Sequence, residues 1–121
     1  MPRDLRVFLW DAIEAANQIQ EFVRGLKDQD YSKNPMIKAA VERKFEVIGE
    51  ALGQASRHFP EVATRIAYFE QIVAFRNRLI HGYSVVSDAL VWDVIENDLP
   101  KLRSDAEALL IECERNLPPQ R

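Results

Sequence analysis

An arginine, an asparagine, a histidine and a tyrosine fall within residues 76–83, in the stretch Phe75-Arg76-Asn77-Arg78-Leu79-Ile80-His81-Gly82-Tyr83. Four residues separate Arg76 from His81, one of only two histidines in the chain. A permanent cation can hold a phosphate and oppose the charge that builds on it. An imidazole titrates near neutrality and can take or give a proton. Asn77 and His81 are four apart, so they are neighbours on a helix surface. Phosphodiester cleavage without a metal is the chemistry these side chains suit. They also suit a purely structural role, with Arg76 in a buried ion pair and His81 closing the helix on its last carbonyls.

The segment that carries them reads as a helix from about Tyr68 to Ile80, ending near His81-Gly82. On a wheel of about 100° per residue, Phe69, Ile72, Val73, Leu79 and Ile80 lie within about 60° of Arg76. A guanidinium in the middle of an apolar stripe is costly unless paired. Glu46 and Glu50, four apart on the preceding helix, are the candidate partners for Arg76 or for its copy in a second chain.

The rest of the chain is helical in rhythm. A first helix spans about Asp4 to Arg24, with Leu5, Phe8, Leu9, Ala12, Ile13, Ala16, Ile19, Phe22 and Val23 on its inner stripe and Gly25 as a left-handed stop. Lys27 to Lys33 is polar and reads as a loop. Asn34 as cap and Pro35 as first residue start a second helix to about Arg57. Gly49 and Gly53 lie beside its apolar face. Each costs about 1 kcal/mol against alanine inside a helix, so the close approach of another helix is expected there. After His58-Phe59-Pro60 comes a short turn or loose helix, Glu61 to Ala67. Ser87 caps a fourth helix starting at Asp88, Pro100 interrupts or kinks it, and a last helix runs to about Glu114. Trp10 and Trp92 are expected in the core. Arg43, Lys44, Arg57 and His58 read as solvated charges. The expected architecture is all-α, a bundle of four to five helices in one domain over residues 1–121, with a tail from about residue 116.

Composition narrows the function classes. At 47% hydrophobic and 29% charged residues, the chain is too apolar for disorder. No apolar run approaches the ~20 residues of a membrane span, and the first residues lack a signal-peptide layout. The single cysteine, Cys113, cannot form an internal disulfide, which points to a reducing, cytoplasmic setting. One cysteine and two histidines argue against a zinc site, and no metal or other cofactor is implied. Cys113 has no basic neighbour arranged to activate it and reads as a packed thiol. A net charge of −3 counts against non-specific nucleic-acid binding but permits a local basic cleft.

The R-x4-H-x-Y pattern of Arg76, His81 and Tyr83 resembles the signature of the HepT-like branch of the HEPN superfamily. Arg43-Lys44-Phe45-Glu46-Val47-Ile48-Gly49-Glu50-Ala51 is similar to the family's second-helix segment, and Trp92 with Leu99-Pro100-Lys101-Leu102 to its C-terminal segment. The likeness covers nearly the whole chain. Ser87 stands where an aspartate is common in the family, and Ala67-Tyr68-Phe69-Glu70 lacks a tryptophan often found ahead of the motif.

The resemblance implies a helical homodimer whose two motifs face one another across a cleft. It implies a metal-independent endoribonuclease toxin of a bacterial toxin–antitoxin pair. Its antitoxin would be a small nucleotidyltransferase that adds AMP to Tyr83. In that scheme Arg76 stabilises charge on the scissile phosphate. His81 is general base or acid for attack by the 2′-hydroxyl, and Asn77 orients the imidazole or holds substrate. AMP on Tyr83 repels RNA and blocks the cleft. Two other classes stay open at this point: a non-catalytic partner or substrate of a nucleotidyltransferase, and a structural dimerisation module.

Overall fold

The computed structural model describes residues 4–82 and 86–116. Among them are seven α-helices: α1 (Leu5–Phe22), α2 (Asp28–Ser32), α3 (Pro35–His58), α4 (Val62–Arg65), α5 (Phe69–His81), α6 (Asp88–Asp93) and α7 (Leu99–Arg115). A π-helical turn, Val94–Asp98, joins α6 to α7. The four long helices, α1, α3, α5 and α7, form an all-α bundle of the expected kind. α1 packs against both α3 and α7, and α5 packs against α3. Among the described residues, no helix is long and apolar enough to cross a membrane.

Local chemistry sets most of the boundaries. The Asp4 carboxylate accepts from the Arg6 amide at 2.9 Å and opens α1. Asn34 accepts from the Ile37 amide at 3.1 Å, and Pro35 fills the first helical position of α3, where its missing N–H costs nothing. Ser87 accepts from the Leu90 amide at 3.1 Å to start α6. Gly82 ends α5 at φ 63°, with its N–H on the Arg78 carbonyl at 3.2 Å. That left-handed turn needs no Cβ and suits glycine.

Two expectations are corrected and one is met. The polar stretch 27–33 is not all loop: α2 forms there, its amide at Lys27 bonded to Asp30 and its Tyr31 fully buried against Trp92, ring centres 5.6 Å apart. One buried aromatic fixes a turn that polar composition disguised. As expected, the α-helix is interrupted ahead of Pro100, α6 ending at Asp93 and α7 starting at Leu99. The widened π-helical turn between them absorbs the carbonyl clash that proline makes one turn back. Trp10 is not core but 48% exposed, because Leu5, Phe8, Leu9, Ala12, Ala16 and Ile19 already fill the buried stripe of α1 and Trp10 falls outside it. Trp92 is partly buried, as is Cys113, whose thiol is pushed up by burial and then by the nearby Glu112 carboxylate.

Two contacts hold α5 in place. Phe75 meets Phe45 of α3 edge-on, centres 5.2 Å apart, a geometry worth roughly 0.5–1.5 kcal/mol beyond area burial. Ahead of α5, Tyr68 takes a left-handed backbone at φ 63°, unusual for a residue with a side chain. The turn is tied to α7 by the Ala67 amide, which donates to Asp105 Oδ2 at 2.9 Å.

Candidate active site

The second half of α5 lies against α3, and a glycine determines how closely. A Cβ built on Gly49 would sit 2.4 Å from Arg76 Cβ, 2.8 Å from its Cγ and 3.2 Å from the Ile72 carbonyl. The helices touch where the arginine leaves its backbone, which meets the expectation for Gly49. Gly53 does not share it: the nearest atom to an added Cβ is Val73 Cγ2 at 4.0 Å, an ordinary contact.

Pressed onto α3, the Arg76 side chain is 28% exposed and forms an ion pair with Glu50 through Nη2. Its Nη1 donates to Asn77 Oδ1 at 3.0 Å. Its Nε is buried with no hydrogen-bond partner among the described residues. Glu50 Oε1 accepts from Gln54 Nε2 at 2.5 Å, so the carboxylate is held from both sides. Glu46 does not reach Arg76. It pairs with Arg43 at 3.2 Å, one turn back on its own helix and closer to hand. Asn77 is turned to the arginine through its side-chain oxygen.

Beside the ion pair opens a cavity of about 310 Å³ lined by Asp11, Arg43, Glu46, Val47, Glu50, Ala51, Gln54, Arg76 and Ile80. A second groove of about 510 Å³ lies on another flank of α5, lined by Lys38, Glu42, Arg78, Leu79, Gly82, Val86, Ser87 and Asp88. His81 is the last residue of α5 and is exposed, and it lines neither cavity. Five residues on one helix correspond to about 140° of rotation and about 7.5 Å of rise. Arg76 and His81 of one chain are therefore on different flanks, and only Arg76 lines the first cavity. Tyr83 lies outside the described residues.

Carboxylates outnumber guanidinium groups around the first cavity, three to two: Asp11, Glu46 and Glu50 against Arg43 and Arg76. The sequence pattern singled out Arg76, Glu46 and Glu50 but not Asp11, which joins them only when α1 and α3 pack together. Gln54 was also missed; its place one turn after Glu50 was the available signal.

A family model described as "Ribonuclease HepT-like" matches residues 12–109, spanning α1 through most of α7. The Methanocaldococcus jannaschii protein named "Putative RNase MJ1380" is 34% identical over 105 residues, covering 87% of this chain and 95% of the relative. A second protein of that organism, "Putative RNase MJ1216", is 30% identical over 112 residues, 93% of this chain and 92% of the relative. The Thermococcus cleftensis protein named "Probable ribonuclease HepT" is 31% identical over 109 residues, 90% of this chain and 98% of the relative. No solved structure matches. The matched span takes in Arg76 and His81 and the helices that hold them, and the chain is a member of the HepT-like ribonuclease family.

Proposed function

We propose that the protein is a metal-independent endoribonuclease toxin that acts as a homodimer, with Arg76 and His81 as its catalytic residues, neutralised by adenylylation of Tyr83 by a partner nucleotidyltransferase. The observation that carries the reading is the placement of Arg76 on a solvent-open cavity, with His81 exposed at the end of the same helix, in a chain of the HepT-like family.

In this reading His81 takes the proton of a ribose 2′-hydroxyl, and the freed oxygen attacks the adjacent phosphorus. The bond from phosphorus to the 5′ oxygen breaks. The leaving oxygen is protonated, and the products are a 2′,3′-cyclic phosphate and a 5′-hydroxyl. Arg76 opposes the charge on the non-bridging oxygens as it grows. The angular separation of the two side chains on α5 favours a site assembled from two chains, in which a second copy of the motif supplies the imidazole missing beside each arginine. That second imidazole also serves as the acid for the leaving oxygen. Adenylylation of Tyr83, two residues past His81, would bring a phosphate and a nucleoside to this end of the helix and close it to RNA.

Cleavage assays on the unmodified protein test the assignment. Wild type is expected to cut single-stranded RNA in the presence of a chelator, and both R76A and H81A to lose that activity while eluting as dimers. Equal cleavage by all three removes the site. The carboxylate excess around the cavity favours a second reading, in which the protein is a non-catalytic substrate of the nucleotidyltransferase. Adenylylation of Tyr83 without RNA cleavage by the unmodified protein would select it.

A further inference from the structure

We propose that Glu50 occupies, in the resting protein, the place on Arg76 that a substrate phosphate takes, so that RNA enters by exchanging one anion for another. The proposal rests on the reading above, that Arg76 meets RNA.

The exchange follows from how the guanidinium is held. Gly49 brings the arginine stem against α3 so closely that Cβ and Cγ have no room to move toward that helix. Freedom is left at the far end of the side chain. There the two terminal nitrogens are divided between different acceptors, Glu50 and Asn77, and Nε is buried with no partner among the described residues. A guanidinium offers its donors as a rigid fork that suits two oxygens of one phosphate. The resting arrangement uses that fork incompletely, and one tetrahedral oxyanion would complete it.

Glu50 is equipped to let go. Its side chain is 47% exposed, and its other oxygen already accepts from Gln54 one turn along α3. Released from Arg76, the carboxylate keeps that hydrogen bond and gains water. The adjoining cavity of about 310 Å³ gives an incoming phosphate room to approach. Until Glu50 gives way, its negative charge stands in the path of any anion, so the pair lowers affinity for RNA as well as storing the arginine.

The test is fluorescence anisotropy with a fluorescein-labelled single-stranded RNA of mixed sequence, across a salt series, on unmodified wild type, E50Q, E50A, R76A and E50Q/R76A. Circular dichroism checks that each variant is folded. E50Q and E50A are expected to bind about two- to five-fold tighter than wild type, the range spanned by a partly exposed ion pair. The salt slope should steepen by about 0.7, as for one additional phosphate contact on a single strand. The gain should vanish when E50Q/R76A is compared with R76A. Equal or weaker binding by both Glu50 variants overturns the exchange, as does an equal gain without Arg76, which would mark a general charge effect. If R76A weakens binding while the Glu50 variants bring no gain, only the exchange fails. If wild type does not bind RNA, or R76A binds as well as wild type, the ribonuclease site and the exchange fall together.

Discussion

Among the described residues, two arginines reach across to a glutamate on another helix, and they do so differently. Arg65, at the end of α4, meets Glu112 of α7 fork to fork: Nη1 to Oε1 at 3.2 Å and Nη2 to Oε2 at 2.5 Å. Both partners are about half exposed. Arg76 meets Glu50 with one nitrogen, spends a second on its own neighbour Asn77, and leaves Nε buried with no partner among the described residues. It also lines an open cavity. A two-to-two pairing is a clasp with little left to offer a ligand. A divided pairing beside a cavity is a guanidinium with donors in reserve. The same pair of residue types thus serves two purposes, and the geometry rather than the residue type tells them apart.

Changing the two arginines should separate these roles most clearly in cleavage. R76A and H81A are each expected to lower RNA cleavage by about 10²–10⁴-fold, the range for removing a positioned acid–base or charge-stabilising group. R65A should cleave like wild type. Loss of cleavage on R65A would show that the contrast is misdrawn.

Next in size is the effect at the two α3 glycines, of which only Gly49 sets the distance to α5. G49A forces a Cβ into Arg76 and is expected to lower stability by about 1–3 kcal/mol, as overpacking does, and to lower cleavage with it. G53A has space, and is expected to gain up to about 1 kcal/mol from helix propensity with cleavage kept. Denaturant melts of the two variants should move in opposite directions.

A smaller effect concerns Asp105, which anchors the turn ahead of α5. Burial alone would raise its carboxyl, but hydrogen bonds from Lys101 and from the Ala67 amide hold it below the ordinary 3.8. A depressed carboxylate contributes stability above its unfolded pKa, and the contribution fades as the pH falls through the folded value. D105N is therefore expected to be less stable than wild type by about 1 kcal/mol at neutral pH. The gap should close as the pH drops below 4, roughly the unfolded carboxylate range. A gap that widens in acid would reverse the assignment. The smallest effect is that of R65A on melting temperature, since an exposed ion pair contributes little and less still at high salt.

Much of the scaffold was legible because it rests on local chemistry. Asn34-Pro35, Ser87 and Gly82 mark helix ends through side-chain caps and one left-handed turn, and such signals act over three or four residues. Gly49 was legible as a close approach because a glycine inside a helix costs stability that packing must offset. Gly53 carries the same signal and has no such contact, so the signal alone does not show which glycine touches. The five-residue α2 was hidden because its one buried anchor, Tyr31, is set by contact with Trp92, sixty-one positions away. The choice of Glu50 over Glu46 for Arg76 depended on which face of α3 met α5 and on Arg43 being in reach of Glu46, neither of which spacing decides. The acidic wall of the cavity needed Asp11 of α1, a helix with no motif to draw notice.

The central claim is that the Arg76–His81 end of α5 cleaves RNA by internal attack. Its most direct test is the chemistry of the new ends, read by mass spectrometry after unmodified protein and a defined single-stranded RNA are incubated with a chelator. The account predicts 2′,3′-cyclic phosphate ends from wild type and none from H81A. The same ends from H81A in equal yield, or 3′-hydroxyl ends from wild type, would contradict it.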